Sequence, residues 1–240
     1  MNGCCPAPAG RRMVNPTDEF LTVKGPGRAE TRVRGSRFIA RLAPVRVEPA
    51  AQEFIHRIAR QDHDASHHCY AYRLGFGREE VVRSSDAGEP SGTAGRPILE
   101  SITTRGLTDV VVVVTRYFGG VKLGTGGLGR AYRECAGKVL DAAETVQKVL
   151  TQEWSLRFDY PLTGEVGAVL ERHGARVVDQ QFGEEVALTV TVRRGRAAVL
   201  REALIAAGRG RIEVEEGSTG CASRNERPPR AAGHWPISGS

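Results

Sequence analysis

No apolar run in this chain approaches the ~18 residues that a membrane-spanning helix needs. The opening stretch, MNGCCPAPAGRRMVNP, has no apolar signal-peptide core, which makes the cytoplasm the expected location. Aromatic residues are scarce at 6%, while hydrophobic residues are 40% and charged residues 26%, a balance that suits a soluble globular protein. The five cysteines (Cys4, Cys5, Cys69, Cys135 and Cys221) are odd in number and show no CxxC spacing. A disulfide framework is therefore not expected, and a reducing compartment fits. Neither GxxxxGK(S/T) nor GxSxG occurs, which argues against a Walker-type phosphate loop and against a serine-hydrolase elbow.

The net charge of +6 belongs largely to the ends. Residues 1–34 hold six Lys/Arg against three Asp/Glu, and residues 217–240 hold three Arg against one Glu. Within the core, residues 35–150 come to +3 and residues 151–216 to −2. Seven basic residues against three acidic ones lie between Arg96 and Lys138, a local excess that could meet a polyanion.

Glycine is abundant, and much of it falls in two clusters flanking one apolar run: SSDAGEPSGTAGRPIL, then DVVVVVTRYF, then GGVKLGTGGLGRAY. Glycine at this density marks tight turns or backbone that something else approaches closely. The run 109–118 is β-branched and apolar on both faces, as a central buried strand requires. Upstream, SRFIARLAPVRV (36–47) alternates as a half-buried strand and 49–60 carries one helical face. HHCYAYRL (67–74) reads as a strand, 81–83 as its hairpin partner, and TAGRPILESITT as a loop entering a short helix. Apolar residues recur at helical spacing from Leu128 to Val146, giving a long amphipathic helix. Residues 151–216 repeat strand and helix in the order βαββαβ, the ferredoxin-like arrangement. The expected fold is α+β in two domains, 19–150 and 151–216, with unstructured tails at 1–18 and 217–240.

The second glycine cluster lies where a strand gives way to a helix, and Thr125 is the expected N-cap. Unpaired N–H groups there can hold an anion. Arg130 and Arg133 fall in the first turns of that helix, where the dipole disfavours cations unless an anion is present. Arg116 and Lys122 flank the turn. Together with Arg96, Gly119, Gly120, Gly124, Gly126 and Gly127, these residues form a candidate anion or RNA site. The alternative is a tight loop packed on its own sheet with solvated arginines. In the first cluster Asp86 and Glu89, followed by Ser91 and Thr93 in the same loop motif, are two carboxylates that could serve acid–base or metal chemistry, or could cap the turns they occupy. His63, His67, His68 and Cys69 resemble a metal set. However, adjacent strand residues face opposite ways, so no metal is assigned. No catalytic set and no cofactor are assigned.

These motifs, with KGPGRAETRVRGSRFIARLAPV upstream, closely resemble the Impact/YigZ family over residues 20–145. The trailing βαββαβ unit looks like the C-terminal domain of its bacterial YigZ branch, similar to elongation factor G domains. Two departures stand out. Ala87 replaces the second Asp of SDDGEPSG, and Gly129 stands where the family often has Val. The resemblance implies an N-domain of ribosomal-protein and elongation-factor type in a cytoplasmic, translation-linked protein. With the local basic excess and the strand–loop–helix geometry, the expected partners are RNA, the ribosome or a translation-related protein, and no membrane. The leading expectation is a non-enzymatic regulator binding RNA or another polyanion. The alternatives are an enzyme acting on a small phosphorylated or nucleotide ligand, and a purely protein-binding module.

Overall fold

A computed structural model describes residues 18–76 and 80–223, so the expected tails lie outside it except at Asp18 and 217–223. The fold is α+β, and the chain forms two compact units. One is Phe20–Lys148, and the other joins the stretch ending at Glu19 to the chain from Val149.

The first unit is built on β2 (Gly27–Val33), β3 (Ser36–Pro44), β4 (His67–Leu74), β5 (Val81–Ser85) and β6 (Val110–Tyr117). These form an antiparallel sheet in the order β2-β3-β6-β4-β5. The valine run takes the middle place because it has an apolar face to offer on each side. Val110, Val112 and Val114 pack with the helices α2 (Gly95–Thr103) and α3 (Gly124–Asp141), among them Ile98, Ile102, Leu128 and Tyr132. Val111 and Val113 face the other way, against Phe54, Ile55 and Ile58 of α1 (Glu48–Gln61). A strand lined by two cores has to be apolar throughout, and every side chain from Val110 to Arg116 is buried. The hairpin β2–β3, not recognised as two strands from the sequence, turns at Arg34 and Gly35 with positive φ at both.

The second unit contains β7 (Thr145–Phe158) from Val149 onward, α4 (Thr163–His173), β8 (Arg176–Phe182), β9 (Val186–Arg193), α5 (Arg194–Gly208) and β10 (Ile212–Ser223). Its four strands run β10-β7-β9-β8, the 4-1-3-2 order of a split βαβ unit, with Trp154, Leu156, Leu188, Val190, Leu200 and Leu204 in its core. The strand Glu19–Val23, designated β1, joins the edge of β7.

Three expectations are corrected. The helix expected through Val146 stops at Asp141, because Thr145–Val149 alternates and enters β7. Residues 217–223 are not a tail but the end of β10. They carry no hydrophobic period because main-chain pairing holds them, and a Cβ on Gly217 would stand 2.9 Å from the Glu153 carbonyl oxygen. Asp18, counted in the other tail, is buried. Its carboxylate accepts the Gly195 N–H at 2.7 Å in the first turn of α5.

Candidate anion-binding cleft

The two glycine clusters meet. An open cleft of about 490 Å³ is lined on one side by Gly92, Thr93, Arg96, Pro97 and Glu100, and on the other by Thr125, Gly126, Gly129, Arg130 and Arg133. It lies where α2 and α3 begin, so each wall is the first part of a helix.

The first wall is held by Asp86. Its carboxylate accepts N–H groups from Gly92 at 2.8 Å, Ala94 at 2.9 Å and Gly95 at 2.8 Å. Burial alone would raise the Asp86 carboxyl, but these three donors prevail and hold it below its ordinary value. The capping reading of this loop is the one the geometry supports. Gly95 is required at this place, since a Cβ there would lie 2.8 Å from the Ser85 backbone. Thr93 donates to the Pro90 carbonyl at 2.6 Å, and Ser91 is exposed.

Glu89 turns the other way, into the protein. It accepts from Arg116 at 2.7 Å and from the Tyr132 hydroxyl at 2.8 Å, with its side chain only 3% exposed. His67 comes within 4.0 Å of the same carboxylate oxygen and binds the Ala87 carbonyl through Nδ1 at 2.9 Å. Cys69 lies 2.9 Å from the Asp86 carbonyl and 3.3 Å from the Tyr132 hydroxyl. Burial pushes the Cys69 thiol up to about 12 and raises the Tyr132 hydroxyl as well, so neither supplies an anion near neutral pH. His68 lies elsewhere, 3.4 Å from the Thr115 hydroxyl, and burial lowers its pKa. Among the described residues no His, Cys, Asp and Glu cluster could hold a metal.

The second wall differs from the expectation. α3 starts at Gly124, not after Thr125, so Thr125 sits inside the first turn and no side chain caps the helix. No side chain therefore takes up the first N–H groups of α3, and Thr125 and Gly126 of that turn line the cleft. Gly124 has φ +68°, a conformation that favours glycine. Arg130 folds back along the helix: a Cβ on Gly126 would lie 3.7 Å from an Arg130 guanidinium nitrogen. Among the described residues Arg130 has no ion-pair partner. Glu134, one turn after Arg130, pairs instead with Lys138, at 2.8 Å. Arg96 and Arg133 share Glu100, at 3.0 and 2.6 Å. That carboxyl is held below its usual range by Arg133 first and Arg96 second.

Of the residues grouped from sequence, the cleft gathers Arg96, Thr125, Gly126, Arg130 and Arg133 and leaves out others. Arg116 is 5% exposed and committed to Glu89, so it is not a surface cation. Gly119 is architectural: a Cβ there would fall 1.9 Å from the Gly35 carbonyl carbon. Lys122 and Gly120 are exposed on the loop preceding α3 and do not line the cleft. Glu100 and Pro97 belong to the cleft and are absent from the sequence-based grouping. The i,i+4 spacing of Arg96 and Glu100 is the signal that could have found Glu100.

Both parts of the chain have counterparts among known proteins. Residues 34–140 match the model of the Impact N-terminal domain, and residues 156–211 match a domain of unknown function, DUF1949. The IMPACT family member YvyE of Bacillus subtilis is 36% identical over 82% of this chain and 91% of its own. For YigZ of Escherichia coli the values are 30%, 82% and 97%, and for an IMPACT family member of Thermus thermophilus 38%, 76% and 99%. A crystal structure described as that of a hypothetical protein superposes with TM-score 0.60 at 30% identity, over 82% of this chain and 96% of that one. Paired with an Impact N-terminal domain that carries both glycine loops, these matches establish that the chain belongs to the IMPACT family.

Proposed function

We propose that this protein is a translation-associated binding protein that holds phosphates of RNA or a comparable polyanion in the cleft between α2 and α3. The observation that carries this reading is the convergence at one opening of the uncapped start of α3 and three arginines, Arg96, Arg130 and Arg133. Open N–H groups and cations together form an anion cradle. A binding role without turnover is supported by where the potential reagents go. Asp86 spends both oxygens on backbone N–H groups, Glu89 is paired with Arg116, and Cys69 is buried as a thiol.

The test is binding of a labelled RNA oligonucleotide, and co-sedimentation with ribosomes, across a salt series. Arg96→Ala with Arg130→Ala, both in the cleft wall, should weaken binding and flatten the slope of log K against log salt by about 0.7 for each phosphate no longer neutralised. Unchanged affinity and slope would remove the cleft assignment. The volume of about 490 Å³ also suits a mononucleotide. For that second reading, thermal stabilisation by millimolar nucleotide with Mg²⁺ is the expected sign.

A further inference from the structure

The loop between β6 and α3, which leads into the second wall of the cleft, exposes two large apolar side chains, Phe118 (51%) and Val121 (49%). Lys122 follows directly. The β2–β3 turn, with exposed Arg34, is brought alongside by the close backbone approach of Gly35 and Gly119. Apolar exposure alone would suit a protein partner, but a ring on a loop that also carries Lys122 and meets the turn of Arg34 suits a ligand that is anionic and flat.

Phe118 is also backed. The Arg116 guanidinium carbon lies 5.5 Å from the Phe118 ring centroid and 5.6 Å from that of Phe38. Arg116 cannot drift, because Glu89 holds it. The ring thus has a fixed cation behind it, while half its surface faces solvent. Next to it, Arg37 lies 4.2 Å over the Tyr117 ring, so Tyr117 already has its partner and Phe118 is the ring left open.

We infer that Phe118 is a stacking platform for an unpaired base, and that the polyanion taken by this protein is single-stranded nucleic acid. The inference rests on the phosphate-binding reading of the neighbouring cleft and adds to it the state of the strand. Duplex bases are stacked on each other and unavailable, whereas every unpaired base offers a π-face to an aromatic side chain.

The experiment uses the full chain with a 12-nucleotide single-stranded RNA, the same sequence as a duplex, and heparin, a polyanion without bases. Phe118→Ala should weaken single-strand binding roughly 5- to 100-fold. Phe118→Leu should fail to restore it, and Phe118→Trp should restore it with fluorescence quenching on titration. Heparin binding should be unaffected by all three. Each variant is exposed at this position, and thermal unfolding matched to the parent confirms that binding is read on folded protein. Equal binding of duplex and single strand, or full affinity in Phe118→Ala, overturns the inference. If Arg96→Ala with Arg130→Ala still flattens the salt slope in that case, the phosphate reading survives alone. If neither RNA form nor heparin binds at low salt, both readings fall.

Discussion

Glu100→Gln separates a cleft built for anions from a cleft that is merely basic. In the structure Glu100 accepts from Arg96 at 3.0 Å and from Arg133 at 2.6 Å. All three side chains are substantially exposed, at 41% for Glu100, 78% for Arg96 and 53% for Arg133. Exposed pairs of this kind contribute ~0–1 kcal/mol, so neutralising Glu100 should lower Tm by no more than about 4 °C. Binding should move the opposite way. A carboxylate roughly 6 Å from a bound phosphate repels it by about 0.7 kcal/mol in water-like dielectric and twice that at half the dielectric constant. The gain expected on removing that charge, with two arginines released, is roughly 3- to 10-fold tighter RNA binding at low salt, shrinking as salt screens it. Fluorescence anisotropy at about 50 and 200 mM salt reads both the gain and its decay. Because Arg133 and Arg96 hold the Glu100 carboxyl below its usual range, acidifying the parent protein to about pH 5 should not mimic the substitution. Unchanged or weaker binding of Glu100→Gln at low salt, with an unaltered fold, would refute the placement of phosphate at this cleft.

Three further outcomes are expected. Asp86→Ala leaves three N–H groups without their acceptor and should cost about 1–3 kcal/mol in urea unfolding at pH 7. Since the folded Asp86 carboxyl is depressed, its contribution is complete above the ordinary carboxyl value and fades as pH falls through the depressed one. The gap between parent and variant should therefore close in acid, and a gap constant with pH would contradict the cap. Arg116→Ala strands the Glu89 charge in the interior and should cost ~3–5 kcal/mol, whereas Arg116→Met with Glu89→Leu should cost less than the two single changes summed. Ala87 has φ +43°, so Ala87→Gly should relieve ~1–2 kcal/mol of left-handed strain against ~0.5–1 kcal/mol of added chain entropy. A small rise in Tm follows from that difference, and a fall would show that Ala87 is not strained.

The sequence disclosed what periodicity can carry. Val110–Tyr117 was legible as the central strand because burial on two faces leaves no polar alternation to mistake. The βαββαβ order was legible because glycine closes its first helix, with Gly174 at φ +68° as the cap. What stayed hidden depends on partners distant in the chain. Arg116 looks like any surface arginine until Glu89, 27 residues away, is folded against it. The true start of α3 is masked because glycines normally argue against helix, and here four of them, at 124, 126, 127 and 129, lie within its first two turns. Asp86 and Glu89, three residues apart and alike in type, diverge completely. One caps the start of a helix and the other enters the core.

Gly35 and Gly119 meet backbone to backbone, and that approach constrains how the protein can vary. When a large side chain crowds a neighbour, a later change to a smaller neighbour can restore the fit, so such positions drift together. Here both partners have already lost every side-chain atom. An added Cβ on Gly119 would reach within 1.9 Å of the Gly35 backbone, and Gly35 has nothing smaller to change to. A first substitution at either position has no second-site remedy at the other. Across relatives that retain this loop, the two glycines should each be fixed without covarying, a signature that pairwise correlation methods would miss altogether.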